Sequence, residues 1–385
     1  MSAPTSNEPK TIVVLGGGYA GLHVAHAILQ KRKDVKVIVV SKNDHFYWNL
    51  AAPRAIIPGQ LSPDKILTPI RDILGRYPPE TWELVVGSAE AVDFTEKTVT
   101  VLPSNAAESR VIKYEHLVIA TGSRPQDGDV PWKARGTSEE LRGALNDVSA
   151  AVGNAKHITV GGAGGTGIEV AGELGAAFGS SGDKEIHLLA ADGQLAGGHT
   201  IAPFAAKQLE KIGVKIHYNA RVESATPVEA VEGGTKTELK LSSGESLVTD
   251  LYLPTTGLLP NTDFIPAQYL TEPGRTIRIN KFLQVQDASN VWAAGDVVGQ
   301  PRAGFMITQR QAAGVARNLL ASLDEKKLVP WKAPEVDIFA CAIGPKAGVG
   351  RINNKYSLPA FLVKVAKSRD LGVGMSKGYI NGNIA

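Results

Sequence analysis

The stretch "TIVVLGGGYAGLHVAHAILQKRKDVKVIVV" at residues 11–40 joins an apolar run, a glycine-rich turn, an amphipathic stretch and a second apolar run. This order predicts a strand, a tight turn, a helix and a second, parallel strand. The pattern returns at residues 157–190 as "HITVGGAGGTGIEVAGELGAAFGSSGDKEIHLLA". The sequence therefore predicts an α/β fold with two Rossmann-like units, the second inserted within the first.

Both turns carry glycines at the spacing G-x-G-x-x-G, directly after a strand and at the start of a helix. In that context the first glycine permits the turn, the second lets backbone approach a pyrophosphate, and the third allows close packing of helix and strand. The glycines concerned are Gly16, Gly18 and Gly21 in the first unit and Gly162, Gly164 and Gly167 in the second. Two dinucleotide sites in one chain predict an electron pathway, for which flavin and nicotinamide are the natural pair.

Two further segments place a glycine after a short strand: "LVIATGS" at 117–123, with Thr121 and Gly122, and "NVWAAGDVV" at 290–298, with Gly295 and Asp296. They flank the second unit, so the first domain is predicted to be split and to hold FAD. Asp296 is expected to accept hydrogen bonds from ribityl hydroxyls. An Asp that caps the next helix is the alternative for this residue.

The predicted boundaries follow from these motifs. A flexible leader is expected at 1–10, an FAD-binding domain at 11–130 and 254–325, an NAD(P)H-binding domain at 131–253, and a small α+β C-terminal domain at 326–385. In the last of these, one helical face collects apolar side chains, namely Leu358, Phe361, Leu362, Val365 and Ala366, opposite Lys364, Lys367 and Ser368. We expect this face to dock on the protein body, and a basic-amphipathic contact with a membrane surface is the alternative.

Composition excludes several classes of function. The 41 Lys and Arg residues are scattered among 38 Asp and Glu residues, so no nucleic-acid partner is expected. Cys341 is the only cysteine, which rules out an internal disulfide or a redox dithiol. The histidines lack metal-ligand spacing, so no metal is predicted.

The start of the chain lacks a signal peptide and no apolar run could span a membrane, so a cytoplasmic protein is expected. Peripheral membrane attachment, a mitochondrial location, and the choice between monomer and homodimer stay open.

The tip of the second strand departs from the usual dinucleotide pattern. Ser41 and Lys42 stand where an acid would hold a ribose hydroxyl. Taken locally, a hydroxyl and a cation favour the 2′-phosphate of NADP, but the split of the first domain assigns this site to FAD. We therefore expect FAD to be held with one charged contact fewer than usual, with Ser41 on a ribose hydroxyl and with Lys42 either near the adenosine or in solvent.

The segments "VVSKNDHFYWNLAAPRAI" (39–56), "GGAGGTGIEVAGEL" (161–174), "IGPKAGVGRI" (343–352) and "LVKVAKSRDL" (362–371) carry a resemblance. The chain resembles the apoptosis-inducing-factor-like flavoproteins, and within them the ferroptosis suppressor branch and its fungal relatives. The resemblance implies a glutathione-reductase-like pair of domains, a small C-terminal domain, and transfer of electrons from NAD(P)H through FAD to a quinone. The rival activities are an NAD(P)H oxidase, a tailoring enzyme acting on a small metabolite, and a redox-signalling protein with structural flavin.

The same resemblance implies roles for single residues. Arg54 would lie along the flavin, with a plain surface turn as its alternative, and Glu169 would lie beside the nicotinamide. Glu169 also falls in the first turn of a predicted helix, where a helix-dipole partner without a ligand is the alternative. The sequence leaves the choice between NADH and NADPH open and slightly favours NADH. The strand "EIHLLA" ends without a cation that could bind the 2′-phosphate of NADPH, and an acid, Asp192, lies two residues further on.

Overall fold

The computed structural model describes residues 9–179, 181–229 and 235–384. The leader expected at 1–10 lies outside these residues except for its last two positions. Strands β1 to β21 span, in chain order, Lys10–Leu15, Val35–Ser41, His45–Tyr47, Leu67–Pro69, Trp82–Asp93, Thr98–Pro103, Arg110–Lys113, His116–Ile119, Ser123–Pro125, His157–Gly161, Glu185–Leu189, Val214–His217, Val222–Glu229, Thr235–Leu241, Ser246–Thr249, Leu251–Pro254, Leu258–Pro260, Val291–Ala293, Ile338–Ile343, Ala347–Ile352 and Tyr356–Ser357. Helices α1 to α9 span Tyr19–Lys31, Ala52–Ala55, Ile70–Leu74, Ser138–Asn154, Gly165–Leu174, Ala202–Lys211, Phe305–Leu323, Ala360–Val363 and Val373–Asn381.

The first sheet has seven strands in the order β18-β8-β1-β2-β5-β6-β7. Its strands β18, β8, β1, β2 and β5 run parallel, with α1 as the crossover between β1 and β2, and β6 and β7 extend the sheet as an antiparallel edge. The strands β8 and β18 lie next to each other although the whole second unit separates them in sequence. The two halves of the chain around the inserted unit thus build one sheet.

The second sheet, β12-β11-β10-β16, is fully parallel. Helix α5 follows β10 directly, and a three-stranded antiparallel sheet of β13, β14 and β15 adjoins the unit. The fold is therefore α/β with two Rossmann-like units, as predicted from the two glycine-rich turns.

The C-terminal strands β19, β20 and β21 form an antiparallel sheet. One face of this sheet packs against α5, where Cys341 and Phe339 approach Gly165. Helix α8 covers part of the other face and continues into a π-helical turn at Lys364–Ser368. Among the described residues no helix is both long and apolar enough to cross a membrane.

The π turn overturns the expected orientation of the C-terminal helix. Val363 and Ser368 are buried, whereas Phe361, Leu362 and Val365 are exposed. A π turn takes more residues per turn than an α-helix, so a pattern read at 3.6 residues per turn drifts out of phase within this segment. The prediction that this apolar face docks on the protein body was wrong for these three side chains and for Ala366, which is also exposed.

Candidate active site

The first glycine-rich turn is shaped by close backbone approaches. Gly16 has a φ of +115°, and a side chain there would meet the carbonyl oxygen of Ala120 at 2.2 Å. A side chain at Gly21 would lie 1.8 Å from the Gly16 carbonyl oxygen, so only glycine allows α1 to start so near β1. Gly18 differs, because nothing lies within 4 Å of the position a side chain would take. The turn therefore presents bare backbone to open space at Gly18.

The second turn repeats this geometry. Gly162 has a φ of +99°, and a side chain at Gly167 would lie 1.8 Å from the Gly162 carbonyl oxygen. Gly164 is open, again with nothing within 4 Å. The two turns are thus matched position by position, and each aims the N-terminus of a helix, α1 or α5, at the open side.

Both turns open onto one cavity of about 1090 Å³. Its wall includes Gly18 from the first turn and Gly164 from the second. Asp296 lies on the wall beside the first turn's sheet, and Glu169 lies on the wall beside the second turn. The volume slightly exceeds the roughly 300–1,000 Å³ of ordinary ligand pockets, which suits more than one bound group.

Asp296 lies in a polar cluster on the cavity wall. Its Oδ2 accepts hydrogen bonds from Lys133 Nζ and Ser123 Oγ, each at 2.7 Å. Burial alone would raise the pKa of this carboxyl, but the Lys133 ammonium and the hydrogen bonds outweigh it and hold that pKa below its usual value. A fixed negative charge with its own counter-ion therefore faces the cavity. Sequence reasoning missed Lys133, since it lies in the "PWKARG" linker, which matches no motif.

Three more of the proposed FAD residues lie beside Asp296. The hydroxyl of Thr121 donates to the carbonyl of Asn261 at 2.7 Å, and the Asn261 side chain donates back to the Thr121 carbonyl at 2.8 Å. Gly122 has a φ of +68°, and its carbonyl accepts from the Asn261 backbone. Gly295 has a φ of +89°, and its N–H donates to Gln311. These bonds fix the cavity wall on both sides of the Asp296 carboxylate.

Ser41 and Lys42 also line the cavity. Ser41 is buried and its hydroxyl donates to the Asn43 carbonyl at 2.6 Å, while Lys42 is exposed. Because its proton is already donated, Ser41 can offer only an acceptor to a ribose hydroxyl, the same role that a carboxylate would have at this strand tip. Contact of either residue with FAD stays a prediction.

Glu169 is buried in the second turn of α5, beyond the first turn predicted from the sequence, and is held by the C-terminal domain. Its Oε1 lies 2.5 Å from Lys367 Nζ and accepts a hydrogen bond from the Ala342 N–H at 3.1 Å. Lys367 also donates to the Ala340 carbonyl at 2.8 Å. Burial alone would lower the pKa of Lys367, but the Glu169 carboxylate outweighs it and raises that pKa, so Lys367 carries its positive charge at neutral pH. Lys367 belongs to "KSRDL", which the sequence interpretation used as a family signature without giving this lysine a role.

Arg54 is not at the cavity surface. Its guanidinium makes two hydrogen bonds to Glu173, at 2.9 and 2.7 Å, and two to the carbonyls of Arg369 and Ser368, at 2.8 and 2.7 Å. The Glu173 side chain is fully buried, and burial raises its pKa against the pull of Arg54. The pair ties α2, α5 and the C-terminal segment together. Arg54 is therefore neither part of a surface turn nor a free guanidinium. Contact of Arg54 with flavin stays a prediction, and its neighbour Pro53, which lies on the cavity wall, is better placed for such a contact.

Cys341 and the two histidines of α1 are buried residues that do not take part in the chemistry of the cavity. Cys341 is buried, and burial followed by the nearby Glu169 charge raises the pKa of its thiol to about 12, so it is a poor nucleophile. His23 and His26 of α1 are buried, and burial lowers the pKa of each to about 4. Within the described residues no group of His, Cys, Asp and Glu could hold a metal ion.

Comparison with known proteins agrees with this geometry. A family described as "Pyridine nucleotide-disulphide oxidoreductase" matches residues 10–315. Oxidoreductase ptaL of Pestalotiopsis fici is 38% identical, over 93% of this chain and 95% of that protein. Human ferroptosis suppressor protein 1 is 26% identical, over 95% of this chain and 94% of that protein.

Solved structures share the fold. The sulfide:quinone oxidoreductase of Aquifex aeolicus superposes with a TM-score of 0.74 at 18% identity, over 98% of this chain and 92% of that one. The water-forming NADH oxidase of Lactobacillus brevis bound to NADH gives 0.69 at 20% identity, over 89% of this chain and 75% of that one.

Proposed function

We propose a specific reaction for this chain, which belongs to the pyridine nucleotide-disulphide oxidoreductase family. It is an oxidoreductase whose cofactors are FAD and NADH or NADPH. The reaction is NAD(P)H + H⁺ + quinone → NAD(P)⁺ + hydroquinone. The observation that carries the proposal is the single cavity onto which both glycine-rich turns open.

The first turn fits FAD. Gly18 leaves room for a pyrophosphate at the N-terminus of α1, since a side chain there would point into empty space. Asp296 offers an ionised acceptor to ribityl hydroxyls, and Lys133 supplies a cation next to it. Ser41 offers a neutral acceptor to the adenosine ribose, so the site holds FAD with one charged contact fewer than usual.

The second turn fits the nicotinamide cofactor. Gly164 leaves the N-terminus of α5 open to a pyrophosphate, in the same way as Gly18 does for α1. Glu169, one turn further along α5, lies on the shared wall of the cavity. Because Lys367 neutralises the Glu169 carboxylate, this side chain does not repel an electron-rich dihydronicotinamide. No residue of the described part of the chain donates to its Oε2, which can therefore accept a hydrogen bond from the cofactor.

Bound together, the two cofactors supply hydride transfer and two-electron release, chemistry for which no protein nucleophile is required. The chain's own residues bind, orient and exclude water. This division explains why the described residues contain no catalytic triad or carboxylate dyad at the cavity. The ion pairs Lys133–Asp296 and Lys367–Glu169 hold the walls at the two ends in fixed positions.

A quinone is the acceptor that the family resemblance favours. One structural neighbour is named as a quinone oxidoreductase, although its donor is sulfide. A sulfur relay is not available here, because the only cysteine is buried and its thiol pKa is raised. We therefore assign quinone as acceptor and NAD(P)H as donor.

The test is anaerobic reduction of the purified flavoprotein by NADH and by NADPH, followed by mixing with a short-chain ubiquinone, a naphthoquinone or oxygen. The proposal expects bleaching of the flavin absorbance and rapid return of colour with a quinone. Recovery of the flavin absorbance with oxygen but with neither quinone would indicate an NAD(P)H oxidase. The structural similarity to an NADH oxidase is the reason for testing this alternative. No bleaching with either nicotinamide would leave a structural flavin.

A further inference from the structure

Two short linkers join the two Rossmann-like units, and both lie on the wall of the cavity. The chain enters the inserted unit through residues 131–133, ahead of α4, and leaves it through residues 254–256, ahead of β17. We call these segments the entry linker and the exit linker. Trp132, Lys133 and Thr255 are among the residues that line the cavity. A cofactor in this cavity therefore lies beside the segments that set the relative position of the units.

Side chains of the first unit hold the entry linker. The Tyr47 hydroxyl donates to the Pro131 carbonyl at 2.8 Å. The Asn49 side-chain amide donates to the Trp132 carbonyl, also at 2.8 Å. Because Tyr47 is buried, its hydrogen bond to the linker is stronger than the same bond in water. Two residues of the cavity wall thus fix two consecutive carbonyls of the entry linker.

Asp296, the proposed partner of the ribityl chain, holds the third residue of the entry linker. Its Oδ2 accepts a hydrogen bond from Lys133 Nζ at 2.7 Å. This contact is an ion pair, and hydrogen bonds between ionised groups are shorter and stronger than neutral ones. A ribityl hydroxyl that donates to Asp296 would fix the carboxylate that holds Lys133. FAD therefore acts on the entry linker through a residue that binds it.

The entry linker holds the exit linker, which in turn holds the second glycine-rich turn. The Trp132 indole N–H donates to the Pro254 carbonyl at 2.8 Å. The next residue, Thr255, donates its N–H to the Gly161 carbonyl at 2.7 Å. Its hydroxyl lies 2.8 and 2.7 Å from the carbonyls of Gly161 and Gly162. Gly162 is the first glycine of the second turn, so the exit linker supports the turn that is open to a pyrophosphate.

These hydrogen bonds form one unbroken path from the FAD side of the cavity to the second turn. We propose that FAD, by ordering the two linkers along this path, tightens the binding of the nicotinamide dinucleotide. A ligand that orders the linkers leaves less conformational entropy for the second ligand to lose, so the two ligands favour each other. Such coupling is reciprocal, and the dinucleotide therefore tightens the binding of FAD by the same factor. This inference rests on the assignment of the two turns in the proposed function, and it concerns binding rather than electron transfer.

The test is release of FAD from the holoprotein on dilution, followed by the fluorescence of free FAD, with and without saturating ADP-ribose. ADP-ribose carries the adenosine and the pyrophosphate of the dinucleotide but has no nicotinamide to stack on flavin, so its effect on FAD passes through the protein. We expect it to slow release by about fivefold, the lower end of usual couplings, because affinity differences arise mostly in dissociation rates. Gly164→Val, which blocks the second turn, should abolish the slowing.

Thr255 offers a matched pair of variants. Thr255→Ala removes the hydroxyl that reaches the second turn and should abolish most of the slowing, whereas Thr255→Ser keeps the hydroxyl and should behave like the unchanged protein. Trp132→Phe removes the indole N–H that joins the two linkers and should act like Thr255→Ala. The quantity compared is the ratio of release rates with and without ADP-ribose, so a change in the FAD affinity of a variant does not by itself alter the result.

Calorimetric titration of the holoprotein with ADP-ribose separates the ways in which the inference fails. If ADP-ribose binds but FAD leaves at the same rate with and without it, the coupling is overturned and the proposed function stands. Slowing that persists in both Thr255→Ala and Trp132→Phe would overturn the path through the linkers. If ADP-ribose does not bind, the assignment of the second turn is wrong, and the inference fails with it.

Discussion

Single residues of the cavity have separable tasks, and Asp296 is the clearest. Its ionised carboxylate is already paired with Lys133 and Ser123, so a change there removes a charged acceptor and frees a cation. We expect Asp296→Asn to weaken FAD binding by roughly tenfold or more, since a hydrogen bond to a charged group contributes about 1.5–3 kcal/mol. The measurement is the dissociation constant of FAD from the reconstituted apoprotein. Ser123→Ala, which keeps the charge, serves as the control and should change that constant only a little.

The buried histidines give the stability of the protein a predictable pH dependence. The pKa of His26 is about 4 in the folded chain and about 6.5 when unfolded, so the unfolded chain binds more protons between these values. The free energy of unfolding should fall by about 1.4 kcal/mol per pH unit for this histidine as pH drops from 6.5 towards 4. His26→Gln, which does not titrate, should show a shallower dependence in urea unfolding at pH 6.5, 5.5 and 4.5. If the free energy of unfolding depended on pH equally in His26→Gln and in the unchanged protein, His26 would not contribute to this pH dependence.

At the level of residues, sequence reasoning identified the glycines and Asp296 because each belongs to a motif with a fixed backbone role. It missed Lys133, Lys367 and Glu173. Their partners come from distant parts of the chain, and an ion pair between two domains leaves no local pattern. Arg54 was noticed, but its bidentate contact with Glu173 could not be foreseen from its turn-like context.

Among the elements, the contact between α5 and β19 controls the position of the Glu169–Lys367 pair. A side chain at Gly172 would lie 2.8 Å from the Ile343 Cα, a backbone atom that cannot turn aside. Gly172→Ala should therefore destabilise the protein by roughly 1–3 kcal/mol, as overpacking does, and should slow flavin reduction, because β19 carries the backbone groups that hold Glu169 and Lys367.

The control lies in another helix. Nothing lies within 4 Å of the position of a side chain at Gly143 in α4, so Gly143→Ala should leave reduction unchanged and stabilise by roughly 0.5–1 kcal/mol. Thermal and urea unfolding of the two variants give the comparison. If the two variants had equal stability, the backbone at the α5–β19 contact would be able to move aside at little energetic cost, which would contradict the prediction.

The helices and strands around the two glycine-rich turns follow from sequence, since apolar periodicity and glycine spacing agree there. The C-terminal segment does not. In its π turn, Lys364–Ser368, Lys367 and Ser368 point inward and Val365 points outward, and this turn is stabilised by partners in other domains, Glu169 and Arg54. A periodicity argument takes no account of such partners, so it assigned the faces of this helix wrongly.

For the molecule as a whole, the central claim is that the two matched turns serve two different cofactors that meet in one cavity. The insertion of one unit into the other places Gly18 of the first turn and Gly164 of the second on the wall of the same cavity. The sequence predicted two sites from the repeated motif, but only the fold places them on a single cavity. Gly18 and Gly164 test the claim well, because each is open and has an ordinary extended backbone, so valine is accommodated without strain.

The most direct measurement is anaerobic titration of the flavin absorbance with NADH or NADPH, whichever reduces the unchanged protein, in that protein and in Gly18→Val and Gly164→Val. We expect Gly164→Val to retain FAD but no longer to be bleached at nicotinamide concentrations that bleach the unchanged protein, and we expect Gly18→Val to be purified with little FAD. Full FAD retention by Gly18→Val together with loss of FAD from Gly164→Val would reverse the assignment of the two turns. Absence of bleaching in the unchanged protein with either nicotinamide would contradict the claim that the two cofactors exchange electrons.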